Sequence, residues 1–441
     1  MKAIKYGVAS LALAATLGAW PALAAPTEIQ FWHAMGGGVT GEKVVEYAEK
    51  FNASQDAFKV VPVYKGNYTE TLTAAVAAFR AKQQPHIVQV FEVGTASMMA
   101  AEGAVYPVHQ LMAEHGGSFD PDQYLDAVKS YYTTTDGKML SMPFNSSTPV
   151  MFYNKDAFAK AGIAEPPKTW AELAEASRKI MAVKAEGQPT CGFTTGWQSW
   201  VQLETFGALH DAAFATKDNG FGGFDTELAF DAPPFTKHIA DMKEWQKDRT
   251  FVYGGRRGDP NPLFLTGECA MLMNSSAYYG AVKDGAKFAW GIAPLPYDDS
   301  VIDQPKNSII GGATLWVLQG HDGKEYEGVA EFLKFLSTDD VQLDWHKATG
   351  YVPITHGAYE AAKAEGFYDK TPGADVAILQ LTRGEPGPNS KGLRLGNFTQ
   401  IRDIINEELE AVWSDKKSAD QALSDAASRG NDLLRKFEKT H

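Results

Sequence analysis

The chain has 441 residues, 44% of them hydrophobic, with 41 Lys+Arg against 54 Asp+Glu. That composition excludes a disordered or fibrous chain, and the length exceeds the roughly 250–300 residues at which a single core stops growing, so two lobes are expected. A net charge of −13 excludes nucleic acid as a main partner, which needs a basic face, but leaves room for a small anion in a local pocket.

In chain order, Lys2 and Lys5 form a basic start, Val8 to Trp20 an apolar run, and Ala22-Leu23-Ala24 a small-x-small cleavage site. Residues 1–24 therefore read as a secretory signal peptide. The run is shorter than the ~20 residues of a bilayer span, and no cysteine follows it to carry a lipid. The mature chain is expected to start at Ala25, exported and soluble. Removal of Lys2 and Lys5 takes the formal charge from −13 to −15.

Glu28 to His33 alternates as a strand. After a Gly-rich turn, Val44, Val45, Tyr47, Ala48 and Phe51 make an apolar helical stripe. Phe58 to Tyr64 is a second strand, a helix runs from Asn67 or Tyr68 to about Lys82, and His86 to Phe91 is a third strand. This β-α-β-α-β order predicts a parallel sheet covered by helices, with ligands beyond the carboxyl ends of the strands. Those ends are Trp32-His33, Tyr64 to Tyr68, and Glu92-Val93-Gly94. Past Pro143 the pattern restarts with a strand at Pro149–Tyr153. Thr169 and Glu172 then form a capping box opening a helix to about Val183, followed by a strand at Cys191-Gly192-Phe193. Ile309 to Leu318 is strand-like, Tyr326 to Leu336 helical, and the chain from Phe398 onward reads as polar helices.

Chemical motifs are sparse. Gly36-Gly37-Gly38-Val39-Thr40-Gly41 matches a dinucleotide fingerprint in letters, but no clear acidic residue closes the second strand, so a tight turn suffices. The ten histidines contain no H-x-x-x-H pair and none pairs with a cysteine, so no metal site and no cofactor are expected. No nucleophile elbow is present, and Glu407-Glu408 sits in a polar helix. Cys191 and Cys269 allow either one bridge or two buried thiols. Trp197 and Trp200 can wall a ligand or fill a core. Arg394, flanked by Leu393 and Leu395, is expected to be partly buried and so to need an anionic partner, either an internal carboxylate or a bound phosphate.

Taken together, several segments resemble a family. Phe31-Trp32-His33, Tyr64 to Tyr68, Glu92 to Thr95, Pro143 to Pro149, Tyr153-Asn154-Lys155, Gly196-Trp197-Gln198, Gly311-Gly312-Ala313, Thr349-Gly350-Tyr351 and Lys391 to Asn397 look like the extracellular solute-binding proteins of ABC importers. More narrowly they are similar to the glycerol-phosphate-binding branch. The resemblance implies an α/β fold of two parallel-sheet lobes joined by crossing hinge segments. One lobe would hold 25–145 and 306–346, the other 146–305 and 347–441. It implies ligand contacts at Tyr68, Glu92, Ser147, Ser275 (rather than Ser276), Gly312, Tyr351 and Arg394, with Trp197 and Trp200 alongside. The implied protein is a periplasmic monomer without enzymatic activity. It would capture sn-glycerol 3-phosphate and glycerophosphodiesters such as glycerophosphocholine for a membrane permease and its ATPase. In that picture Glu92 takes the glycerol end and Arg394 the phosphate. A sugar-binding protein of the same fold and a secreted glycerophosphodiester hydrolase are the alternatives.

Overall fold

The computed structural model describes Met1 and residues 25–441, so the expected signal peptide lies outside the described residues. Among them no helix is long and apolar enough to cross a membrane.

The first strand, β1 (Thr27–His33), buries Ile29, Phe31 and His33 on one side, as its alternation requires. Helix α1 (Gly38–Ser54) returns the chain to β2 (Phe58–Tyr64), and α2 (Tyr68–Arg80) leads to β3 (Ile87–Phe91). β1 pairs in parallel with both β2 and β3, as the β-α-β-α-β order predicts. Helix α2 starts at a capping box: Asn67 Oδ1 accepts from the Thr69 and Glu70 amides at 3.0 and 3.1 Å, and Glu70 Oε2 accepts from the Asn67 amide at 2.7 Å. The box places Tyr68 on the first helical residue, directly after the second strand.

Beyond β3 the sheet departs from the parallel expectation. The short β4 (Val105–Tyr106) and β5 (Met142–Ser147) both run antiparallel to β10 (Gly311–Leu318), which runs antiparallel to β3. The reason is connectivity. β10 comes back from the other lobe, not over a covering helix, so it need not enter in the parallel sense. Helix α5 (Gly323–Leu336) then covers β1.

The second sheet has the order β7-β8-β6-β9, built from β6 (Pro149–Asn154), β7 (Cys191–Thr195), β8 (Cys269–Ser275) and β9 (Trp290–Ala293). β7 and β8 are parallel, whereas β6 is antiparallel to β8 and β9. Helix α3 (Trp170–Ala182) packs on β7 from the expected capping box, with Glu172 and Thr169 exchanging bonds of 3.2 Å. Helix α4 (Phe235–Lys247) packs against the C-terminal pair α7 (Phe398–Trp413) and α8 (Ala419–Glu438). Cys191 and Cys269, opposite each other at the starts of β7 and β8, form a disulfide, which decides between the two readings open in the sequence.

The chain passes between the sheets at Thr148, one residue after β5 and one before β6. The Thr148 hydroxyl bonds the Ser308 hydroxyl and, at 2.9 Å, the Ile309 carbonyl on the returning passage. After α6 (Asp339–Thr349) the chain stays on the first lobe, where the Val352 amide bonds the Ser146 carbonyl at 2.8 Å and the Leu125 amide the Ile354 carbonyl at 3.0 Å. The third passage then brings Gln380 against the other two, its carbonyl accepting from the Ser308 amide and its Nε2 donating to the Pro149 carbonyl, both at 2.9 Å. Three crossings therefore lie side by side.

Candidate functional site

The carboxyl ends of β3, β5, β7 and β8 and the amino end of β10 open onto one cavity of about 240 Å³. Tyr68, Glu92, Ser147, Ser275, Gly312, Tyr351, Trp197 and Trp200 all line it, so the structure brings together eight of the nine expected residues. Ser275 rather than Ser276 faces it. Of the Gly36–Gly41 run after β1, none of the four glycines contributes, but Thr40 does.

Each side chain has a local cause for its position. The Tyr68 ring stacks on Phe91 (5.3 Å between centroids), and its hydroxyl accepts from Asn145 Nδ2 at 2.8 Å. Asn145 is itself set by Gln89, whose Nε2 donates to it at 2.7 Å. The Tyr351 ring stacks on Trp345 at 5.3 Å, and its carbonyl meets His346 Nδ1 at 2.6 Å. Burial pushes both phenols above their ordinary pKa, so both remain neutral O–H groups at physiological pH. Gly312 has φ of +95° and lies where a Cβ would stand 1.8 Å from the Asn145 carbonyl oxygen, which admits no other residue. At Gly311 a Cβ would stand 2.3 Å from the Trp200 ring, so that glycine lets the indole reach the cavity wall. Trp200 opens a buried π-helical turn, Trp200–Thr205, and its Nε1 is buried without a hydrogen-bond partner.

The cavity's guanidinium belongs to Arg402, which sequence reasoning missed. Arg402 projects from α7 and is 8% exposed. Its Nε and Nη2 fork onto Glu204 at 2.8 and 2.6 Å, and Nη2 also meets Glu92 Oε1 at 2.7 Å. Nη1 has no protein hydrogen bond among the described residues. Burial opposes the charge on Arg402, but Glu204 and Glu92 outweigh it and hold the guanidinium protonated. Burial pushes the Glu92 carboxyl up, against the pull of Arg402. Ser199 Oγ donates to Glu204 at 2.9 Å and completes the anchor. A signal for Arg402 does exist in the sequence: it shares the apolar face of Phe398, Ile401, Ile405 and Leu409, where a charge is out of place unless it is used. Asn261, Asn274 and Tyr278 also line the cavity and carry no comparable signal.

Arg394 corrects the expectation placed on it. It is buried at 5% exposure, as its flanking leucines imply, but it is not among the cavity's lining residues. Its Nη2 donates to the carbonyls of Ser130 (3.3 Å), Tyr131 and Thr133, and the guanidinium lies 4.2 Å over the Phe221 ring. No carboxylate pairs with it among the described residues, and desolvation lowers its pKa to about 10. Both partners expected for it, a carboxylate or a phosphate, are replaced by carbonyl dipoles.

One cluster among the described residues has metal-ligand spacing: His86, His321 and Glu325, outside the cavity lining. His86 Nδ1 accepts the Gln30 amide at 3.0 Å, so the ring proton of the neutral imidazole sits on Nε2, toward Glu325. That nitrogen has no lone pair for an ion, and the two remaining donors fall short of the three or four that zinc takes.

The chain is similar to known proteins in sequence and in fold. The family model described as bacterial extracellular solute-binding protein matches residues 46–374. The chain is 48% identical to the sn-glycerol-3-phosphate-binding periplasmic protein UgpB of Escherichia coli strain K12, over 100% of this chain and 99% of that one. It is also 48% identical to the protein of the same name from Salmonella typhimurium strain LT2, over 98% of each. Among solved structures, UgpB from Mycobacterium tuberculosis in complex with glycerophosphocholine matches with a TM-score of 0.76 at 20% identity, over 93% of this chain and 98% of that one. Maltose-bound MalE3 of T. maritima matches at 0.74 and 19%, over 92% and 100%. At such identities these two structures establish the shared two-lobed fold.

Proposed function

Because the chain belongs to the bacterial extracellular solute-binding protein family, we propose that it is the periplasmic component of an ABC importer and captures sn-glycerol 3-phosphate, and glycerophosphodiesters such as glycerophosphocholine, for a membrane permease. The observation that carries this reading is the cavity itself. It brings a guanidinium with an uncommitted Nη1 and a carboxylate together with two indoles in about 240 Å³. That volume is below the roughly 300–1,000 Å³ of pockets for drug-sized ligands, and suits a three-carbon phosphate better than an oligosaccharide.

The donors divide by chemistry. Arg402 takes over the phosphate role first expected of Arg394, since Nη1 is a charge-assisted donor aimed from a rigid fork. Ser147, Ser275 and Tyr351 supply neutral donors, and the Gly312 backbone approaches without a side chain. Glu92 spends Oε1 on Arg402 and keeps Oε2 to accept from a glycerol hydroxyl. A carboxylate in that place would repel phosphate, so it orients the ligand. The trio Arg402–Glu92–Glu204 sums to one negative charge when all are ionised, so the phosphate is held by directed donors, not by a net field. The tryptophan faces pack on the carbon skeleton or hold a choline head group by cation–π attraction.

The lobes, expected at 25–145 with 306–346 and at 146–305 with 347–441, close over the ligand. The last boundary moves past residue 364, because the Leu125 amide bonds the Ile354 carbonyl and helix His356–Ala364 packs on α6. Tyr68, Glu92 and Gly312 come from the first lobe, and Trp197, Trp200, Ser275 and Arg402 from the second. Shifting a 1:99 open–closed equilibrium to 99:1 needs about 5.5 kcal/mol of differential affinity, which one charge-assisted contact and several neutral bonds can supply. No bond in the ligand is made or broken.

Calorimetry of the mature protein tests this. Glycerol 3-phosphate should bind stoichiometrically and be recovered intact, and maltose should neither bind nor compete. Heat with maltose alone would move the assignment to sugars, and release of glycerol or choline would make the protein a hydrolase.

A further inference from the structure

A second cavity of about 40 Å³ adjoins the first, and the two share Phe91, Trp197, Trp200 and Arg402 as common walls. The remaining wall is polar and drawn from both lobes. Thr69 comes from the first turn of α2, Thr399, Asp403 and Asn406 from α7, and Arg257 from the loop before β8. Trp197, the partition between the two spaces, has φ of +47°, a region a bulky residue rarely adopts, and its amide is tied to the Arg257 carbonyl at 3.0 Å. Strain of this kind survives where the surroundings enforce a side-chain position.

Asp403 is exposed and has no ion pair or hydrogen bond among the described residues. Arg256, the guanidinium that feels its charge, is already forked onto Glu410 with both bonds at 2.7 Å. A carboxylate without a committed cation therefore lines the same space as two indoles, with Arg402 in the shared wall. Arg257, exposed in the same wall, is the opposing charge.

We propose that this annex is the subsite for the second alcohol of a glycerophosphodiester, and that Asp403 makes it favour an alcohol carrying an ammonium group over a neutral one. The proposal rests on the main cavity holding the glycerol phosphate. Trp197 and Trp200 wall both spaces, so an alcohol esterified to a phosphate held at Arg402 would reach the annex past those rings. Indole faces attract a quaternary ammonium, and Asp403 supplies the counter-charge a neutral alcohol would not use.

The test titrates three probes by calorimetry: glycerol 3-phosphate, glycerophosphoglycerol as the neutral diester, and glycerophosphocholine. Two variants are compared with the unaltered mature protein, each checked for its melting temperature. Thr69→Trp fills the annex and should weaken both diesters at least tenfold while leaving the monoester within twofold. Asp403→Asn should weaken glycerophosphocholine about fivefold or more and leave the other two within twofold. Equal losses for all three probes, or diesters unaffected by both variants, overturn the subsite. Diesters lost with Thr69→Trp but unchanged with Asp403→Asn overturn the ammonium preference. Failure of the unaltered protein to take glycerol 3-phosphate is a separate result, and overturns the main-cavity reading instead.

Discussion

Arg394 and Arg402 lie on the same C-terminal stretch, eight residues apart, and are 5% and 8% exposed. Their surroundings differ in kind. Arg402 stands between two carboxylates, one from each side of the cleft, and lines the cavity. Arg394 meets carbonyls of Ser130, Tyr131 and Thr133 and one aromatic face. Carboxylates hold a guanidinium charged and aimed, whereas carbonyl dipoles satisfy its donors without cancelling its charge. The pKa directions record the difference: Arg402 is raised above its ordinary value, and Arg394 is lowered to about 10. Burial of an arginine therefore does not by itself mark a phosphate site. The first region is the one proposed to exchange a partner, and the second ties the loop before α7 to residues 130–133.

The sharpest way to break this contrast is Arg402→Ala. It leaves Glu92 and Glu204 buried without their shared cation, so it should cost about 3–5 kcal/mol in denaturant unfolding. Glycerol 3-phosphate affinity should fall at least a hundredfold by calorimetry. Stability lost with affinity intact would assign Arg402 to the scaffold.

Acid should act through buried neutral histidines, one of them beside the cavity, and through neither guanidinium. Burial lowers His33 and His346 from 6.5 to about 4, and His346 holds the Tyr351 carbonyl. Between those values the unfolded chain takes up protons that the folded one refuses. Stability should therefore fall as pH drops from 6.5 to 4 and level off below, by about 3 kcal/mol for each histidine. Melting temperatures flat across that window would show that the two rings are solvated.

Arg394→Ala should cost about 2 kcal/mol, for the lost charge-assisted bonds to carbonyls, and weaken ligand less than tenfold. A folded Arg394→Ala protein that no longer binds phosphate esters would return the phosphate to Arg394 and reverse the comparison. The smallest effect is expected at the neutral donors. Ser275→Ala should weaken glycerol 3-phosphate by one hydrogen bond, about 0.5–1.5 kcal/mol, and Ser276→Ala should leave it within twofold. The opposite order would exchange their roles.

Most local structure was legible in the residues. The alternation of β1, the length of β2 and the Thr169–Glu172 box are local patterns, and each element forms within a residue or two of its expected place. The purely parallel sheets were not legible as mixed, because the direction of β10 depends on which lobe it returns from. At the site, the strand ends pointed to Tyr68 and Glu92, whereas Ser147, Ser275, Gly312, Tyr351, Trp197 and Trp200 were implied by the family resemblance. Arg402 was missed because a helix interior looks like packing, and Arg394 was chosen because a charge between leucines looks like a contact.

By itself the chain dictates its strands, its capped helices, the two-lobed class and a ligand zone beyond the strand ends, because those depend on neighbours within a few residues. Which arginine faces the cavity, whether Cys191 meets Cys269, and how Thr148 lies against Ser308 depend on segments far apart in sequence. Only folding brings such segments within the few ångströms over which hydrogen bonds and ion pairs act.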